Sequence, residues 1–489
     1  MPKKHDIRWF VVEEIPQNVP FVMGITRFMV QEWPKRGLGE GVKKYFTWFE
    51  KDLGRMVYIM KEFEKEADFL SQKMLRDPVW ALKVLGDIEK WSSRFFEAAR
   101  RFRNLRFAGF SNHQLISSFE KVLKWHTLSH GVGSSLSWHA DANGERVSRG
   151  LLAIIQKRIK ENLSKVSTAE VFTILSSPEK ESGLKKEEKA LLKLVIKKAD
   201  SVDLCRHANK YEWLNYQYKG PAFPFSYFAD RFGSLNPAKA KRLLSEIERR
   251  DQNTREQKRK LVKELNLNSQ ERSLVKMAQE MVFIKDYRKE SLYHGMYCYE
   301  PFFREIARRF ALSIDQVRTM HWWEIVSLLR SDRVDVDELN ERMKQAVYFV
   351  SRDSYKIYTG ARAGKFLSQI KWQYVKKRIG NEFHGSCAYP GKVRGRVKII
   401  NIPQDMSKMR KGDILVAHNT NPNLVPAMKI AKALVSGAGG LTCHTAIIAR
   451  ELRIPSVVGI PGIDKILKDG DKVEVDSNKG IVRRIKAGR

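Results

Sequence analysis

At 489 residues the chain is long enough for two to four domains, each burying its own core. A formal charge of +34 raises the case of an anionic partner such as nucleic acid. That partner is not favoured, because Lys and Arg are spread along the whole chain, with 19 against 8 Asp and Glu between His384 and Arg489, and solvated basic helix faces account for them. No 18 consecutive apolar residues exist to span a membrane, MPKKHDIRWFVVEE lacks the apolar run of a signal peptide, and Cys205, Cys298, Cys387 and Cys443 match no disulfide or zinc spacing, so a cytoplasmic protein is expected.

In chain order, WFVVEEI followed by Pro16 and Pro20 reads as an extended entry segment. Phe46, Phe49, Leu53, Met56, Met60 and Phe63 recur at spacings of three and four, which predicts one face of a long helix. Similar stripes predict helices from Trp80 to Phe107, Leu115 to Leu128 and Leu151 to Ile196. His126, His130, His139 and Asp141 lie close in sequence, and the first two would share a helix face suited to a metal. Glycines and serines around them favour structural histidines instead. A Lys/Glu-rich run from Glu179 to Asp200 marks a boundary, giving a mainly helical region over 1–200.

Residues 201–380 read as a second helical bundle. Asn236 with Pro237 predicts the start of an exposed charged helix to Lys263. Asn268 with Glu271, and Ser313 with Gln316, form the reciprocal pattern of a capping box. Between them, KDYRKESLYHGMYCY places Arg288, Tyr293, His294 and Tyr297 among aromatics just before Pro301. The basic stretch YVKKRIGNEF then leads, as a hinge, into residues 381–489.

This last region holds 12 of the 30 glycines and alternates like strands: GSCAYPGKVRGRVKII, DILVAH, ALVSG, SVVGI, KVEVD and IVRRI, with turns at Lys411-Gly412-Asp413, Asp469-Gly470-Asp471 and Asn478-Lys479-Gly480. Two helices interrupt them, one from Pro422 to Ala433 and one opening at His444. The second follows Gly439 and Gly440, presents Ile447, Ile448 and Leu452 to a core, and stops before Pro455. His444 is thereby placed at a helix N-terminus, where free amides and the helix dipole stabilise an anion, and a neutral imidazole there can attack a phosphoryl group.

The stretch GGLTCHTAIIARELRIPSVVG resembles the mobile phosphohistidine domain of phosphoenolpyruvate-utilising enzymes, the group of phosphoenolpyruvate synthase, pyruvate phosphate dikinase and rifampicin phosphotransferase. The resemblance implies a multidomain α plus α/β chain: a large N-terminal all-helical region followed by a C-terminal swivelling β/β/α domain. It implies that His444 carries the phosphoryl group; Thr442, with Gly439, Gly440, Cys443 and Thr445, is then placed to hold that group, and Arg450 to pair with phosphate or with an acidic docking surface. A looser likeness of the preceding helices to rifampicin phosphotransferase makes Arg288, Tyr293 and His294 the candidate acceptor-binding residues. One departure stands out: relatives usually read Thr-Asp-x before the glycine pair, whereas this chain has Ser436, Gly437 and Ala438, so an acid is missing.

No Walker loop and no GxGxxG appears, and the ATP-grasp domain usual in the group is not evident. The expectation is a phosphotransferase component with no firmly bound cofactor. A separate ATP-grasp partner, with Mg at its nucleotide site, would charge His444 from ATP or phosphoenolpyruvate, and a small-molecule or protein acceptor would take the phosphoryl group. The rival reading is a non-catalytic basic helical protein that binds nucleic acid or protein and keeps the last domain as a structural or regulatory module. Steep weakening of binding by salt would mark the rival.

Overall fold

The computed structural model describes residues 7–15, 21, 33, 36–134, 136, 146–162, 168–351, 354–373, 380–401, 403–420, 424–437, 439–440 and 443–485, with backbone alone at 13, 15, 169, 403, 404 and 444. His139, Asp141, Thr442, the side chain of His444 and most of the YVKKRIGNEF segment lie outside the described residues.

Strands β1 (Trp9–Ile15), β2 (Lys44–Glu50) and β3 (Leu53–Ile59) open the chain. Helices α1 (Met60–Arg76), α2 (Pro78–Arg103) and α3 (Asn112–His126) follow, the last running into a π-helical turn at Thr127–Val132. Then come α4 (Arg146–Asn162), α5 (Thr168–Ser176), α6 (Gly183–Ile196), α7 (Ser201–Tyr211), α8 (Phe225–Gly233), α9 (Pro237–Glu264) and the 41-residue α10 (Ser269–Arg309). Short helices α11 (Ile314–Thr319), α12 (Trp322–Ser331) and α13 (Val336–Lys344) lead to strands β4 (Gln345–Ser351) and β5 (Tyr355–Thr359), and α14 (Gly360–Ser368) closes the helical region. A large N-terminal helical region is therefore followed by a mixed-sheet domain. No helix among the described residues is long and apolar enough to cross a membrane.

One expected helix is a hairpin. β2 and β3 pair antiparallel from Tyr45↔Tyr58 to Glu50↔Leu53, with Lys51 at φ 51° in the turn, and a helix starts only at Met60. The misleading spacing has a physical cause: both faces of this sheet are covered. Tyr45 and Phe49 enter the main core, while Phe46 packs with Trp9, Val57, Val347 and Ala363 on the opposite face. Residues three apart thus sit on opposite faces yet are all apolar. The sheet order is β1-β3-β2-β4-β5, so strands from the two ends of the helical region share one antiparallel sheet.

The main core lies where α2 and α3 meet α10, around Phe95, Phe102, Phe119, Tyr299 and Phe302, all nearly or fully buried. The Asn268/Glu271 and Ser313/Gln316 capping boxes form as the sequence predicts. Helix α10 does not stop before Pro301 but runs through it. Proline lacks the amide that would bond the Tyr297 carbonyl four residues back, and Arg103 supplies the missing donor, its Nη1 giving a hydrogen bond to Tyr297 O at 3.0 Å. Its guanidinium also stacks 3.7 Å from the Tyr297 ring centroid. Arg103→Ala is expected to cost about 2 kcal/mol in urea unfolding, because the carbonyl loses a charged donor. In a Pro301→Ala background the cost should shrink, since residue 301 regains its own amide, and a double-mutant cycle reads the difference.

The C-terminal domain contains β6 (Glu382–His384), β7 (Ser386–Tyr389), β8 (Lys392–Ile399), β9 (Ile414–Ala417), α15 (Val425–Ile430), β10 (Ala433–Ser436), α16 (His444–Leu452), β11 (Ser456–Val458), α17 (Ile463–Ile466), β12 (Lys472–Asp476) and β13 (Ile481–Arg484). The order β6-β13-β12-β8-β9-β10-β11-β7 has a parallel centre, β8 to β11, flanked by antiparallel strands. The parallel strands β9 and β10 are fully buried, as their unbroken apolar runs require.

Candidate functional site

The turn into α16 is built by glycine and cysteine. Gly439 has φ 90°, and a Cβ there would lie 2.5 Å from Cys443 Cβ, so the turn demands glycine. Cys443 is the N-cap in extended conformation, and its amide donates to Gly440 O at 2.9 Å. Burial pushes the Cys443 thiol above its ordinary value, opposed by a hydrogen bond with the Ala446 amide, so at neutral pH it stays a thiol and not a nucleophilic thiolate. Thr445 is buried, its Oγ1 2.9 Å from Thr420 Oγ1. At the other end Arg453 takes the left-handed conformation and the Ile454 amide bonds Ala449 O, ending the helix before Pro455. In the first turn the Ile447 amide bonds Cys443 O and the Ala446 amide meets the Cys443 thiol, and the helix dipole at this end favours an anion.

These residues border a cleft of about 2250 Å³ between the C-terminal domain and the helical body. Gly439, Gly440, Cys443 and Arg450 line one wall, and Arg288 and Tyr293 of α10 line the other. Arg288 is buried and donates through Nη1 to His130 Nδ1 at 2.7 Å and to Ser134 Oγ at 2.8 Å. That bond requires a neutral His130 with its proton on Nε2, and burial, with the nearby Arg288 charge, holds the His130 pKa well below its ordinary value. His126, whose Nδ1 lies 3.2 Å from Tyr299 Oη, is likewise pushed down to about 3 by burial. Both histidines are thus internal hydrogen-bonding groups, and no group of three metal-ligating residues forms among the described residues.

Tyr293 packs edge-on to Tyr218. His294 is enclosed between Phe96 and Trp213, ring centroids 4.9 and 5.2 Å away, and burial pushes it down to about 3. Arg450 donates from Nε to Ala388 O at 3.2 Å and lies 5.7 Å over the Phe172 ring of α5, tying the C-terminal domain to the helical body. The structure therefore gathers Arg288, Tyr293, Gly439, Gly440, Cys443 and Arg450 around one cleft, while Thr445 and His294 are packed behind its walls.

Four further charged residues of α10 line the cleft: Lys285, Asp286, Lys289 and Glu290. Their signal in the sequence was a set of charges at spacings of three and four within an otherwise buried helix. Burial pushes Asp286 up to about 6. Burial also pushes Glu290 up to about 7, with the Asp286 charge adding to the shift and a hydrogen bond from the Gly183 amide, 2.7 Å away, opposing it. A carboxyl whose folded pKa is raised binds its proton more tightly when folded. Its full contribution is present below the unfolded value near 4.5 and is lost as pH rises through about 7. Glu290→Gln keeps an acceptor for Gly183 and should remove about 2–3 kcal/mol of this loss, so urea midpoints at pH 5 and pH 8 should differ less in the variant than in the wild type.

Residues 409–480 match the family described as PEP-utilising enzyme, mobile domain. A probable phosphoenolpyruvate synthase of Archaeoglobus fulgidus is 52% identical over 98 residues, 20% of this chain and 13% of that protein. Phosphoenolpyruvate synthase of Aeropyrum pernix is 50% identical over 99 residues, 20% of this chain and 12% of that protein. The matched part thus spans about an eighth of the length of these relatives. Among solved structures, Thermococcus kodakaraensis aconitase X (holo-form) aligns over 22% of this chain and 100% of its own at 24% identity, with a TM-score of 0.18 that carries no argument. The C-terminal part of this chain is identified, by its match over residues 409–480, as a PEP-utilising enzyme mobile domain.

Proposed function

We propose that the chain is a phosphotransferase component in which His444 carries a phosphoryl group between a donor and an acceptor. A partner protein holding ATP or phosphoenolpyruvate, with Mg at its own nucleotide site, charges the ring: the donor P–O bond breaks and a P–N bond forms. The domain then presents the group to the cleft. An acceptor hydroxyl attacks phosphorus, the P–N bond breaks, and His444 is regenerated. Arg288, Lys285 and Lys289 favour the anionic group electrostatically. Asp286 lies on the same wall to take the hydroxyl proton.

The observation that carries this reading is the opening of α16 at His444, inside the matched mobile domain, onto a cleft whose opposite wall bears Lys285, Arg288 and Lys289. Incubation with β- and γ-labelled ATP, with and without cell extract, tests it. Acid-labile label on His444 that depends on extract is the expected result. Label absent under every condition, with phosphoenolpyruvate as donor included, counts against it.

A further inference from the structure

The sequence lacks an acid at position 437, but the space beside that position holds one. A Cβ built on Gly437 would lie 3.2 Å from Asp464 Oδ1, a carboxylate delivered by α17 from 27 residues further along the chain. Asp464 faces His418, the residue directly after β9: His418 Nδ1 and Asp464 Oδ1 are 3.8 Å apart, an ion-pair separation wider than a hydrogen bond. Both atoms are buried and neither has a hydrogen-bond partner among the described residues. A buried donor and a buried acceptor left facing one another are costly, and closing the gap would satisfy both.

His418 is placed for more than packing. Its side chain is about one-third exposed, against 5% for that of Asp464, and it lines the cleft together with Gly437, Gly439 and Gly440. The same segment braces the first turn of α16 through Thr420 and Thr445, and the backbone amide of His418 is fixed by Asn401 Oδ1 at 2.7 Å. His418 therefore belongs to the rim from which α16 starts.

We propose that Asp464 replaces in space the acid that relatives carry ahead of the glycine pair, and that it positions the His418 imidazole to donate a hydrogen bond to the phosphoryl group carried by His444. This rests on the phosphoryl-carrier reading above. Once the 3.8 Å gap closes, the Asp464 carboxylate accepts from Nδ1–H and leaves Nε2 for the phosphoryl group. Burial raises the Asp464 pKa, but His418, the residue's own backbone amide and Lys465 together outweigh it and hold the carboxyl below its ordinary value, which keeps it ionised for this task. In this scheme His418 contacts the transferring group and is not consumed, while Asp464 is a positioning residue.

Potassium phosphoramidate tests the idea without the unidentified partner: its P–N bond breaks, ammonia leaves after taking up a proton, and a P–N bond to His444 forms. Charging is followed by 31P NMR on the full chain, and the ring state of His418 by 15N NMR. Asp464→Ala and His418→Gln are expected to slow charging about ten-fold or more, as loss of a charge-assisted donor does. Asp464→Ala should also shift the His418 Nδ1 resonance. The double variant Gly437→Asp/Asp464→Ala, which returns the carboxylate to position 437 and clears the atom nearest the new Cβ, should recover most of the rate. Wild-type rates in both single variants overturn this inference alone, as does a slowed Asp464→Ala that the double variant fails to restore. No label on wild-type His444 overturns the carrier reading and this inference with it.

Discussion

His444→Ala is expected to drop acid-labile phosphorylation to background, at least about 10³-fold below wild type, while the thermal midpoint stays within about a degree. The size of the effect follows from the neighbours. Cys443 is adjacent, but burial keeps it a thiol. Thr445 is buried, with its hydroxyl engaged by Thr420. Neither can take over from the imidazole. Alanine is the best helix former, and the turn before α16 is held by Gly439, Gly440 and Cys443, so the first turn should persist. Labelling with ATP and extract, alongside a melting curve, checks both halves. Wild-type label in the variant would assign the phosphoryl group to another residue, and a collapsed midpoint would make His444 a structural residue.

Local signals were legible where one short segment decides its own structure. The capping boxes at Asn268 and Ser313, the stop before Pro455 and the glycine turns at 412, 470 and 480 each depend on residues within one turn of each other, so the sequence carries them directly. Features set by distant partners were not. Phe46 to Met56 reads as a helix stripe because the main core covers one face of the hairpin and a layer around Ala363 covers the other. Pro301 inside α10 is a second case, since nothing nearby in sequence announces that Arg103, almost two hundred residues earlier, will serve the Tyr297 carbonyl that proline leaves without a donor. The cleft joins the middle of α10 to the loop before α16, and only packing brings these together. Asp464 follows the same logic: the missing acid was visible at position 437, its replacement was not.

Two glycines on the paired helices α2 and α10 should respond to the same substitution with opposite signs. Gly86 of α2 is exposed, and a Cβ there meets no atom within 4 Å, so Gly86→Ala should stabilise by about 0.5–1 kcal/mol through reduced backbone freedom in the unfolded chain. Gly295 of α10 faces α2, and a Cβ there would lie 2.1 Å from Phe95 Cζ and 2.6 Å from Cε1. That ring cannot swing aside freely: Phe95 is fully buried and stacks on His126 at 4.5 Å, itself buried against Tyr299. Either the ring leaves its rotamer or α2 and α10 separate along the centre of the core. Gly295→Ala should therefore cost about 3 kcal/mol, the upper end for one added methyl in a packed interior, despite the gain in helix propensity. Phe95→Leu alone removes ring volume and should cost about 1–2 kcal/mol, yet in the Gly295→Ala background it clears the clash and should restore stability. Urea unfolding of the four chains measures that coupling, and strict additivity would mean that the clash relaxes elsewhere than at this ring.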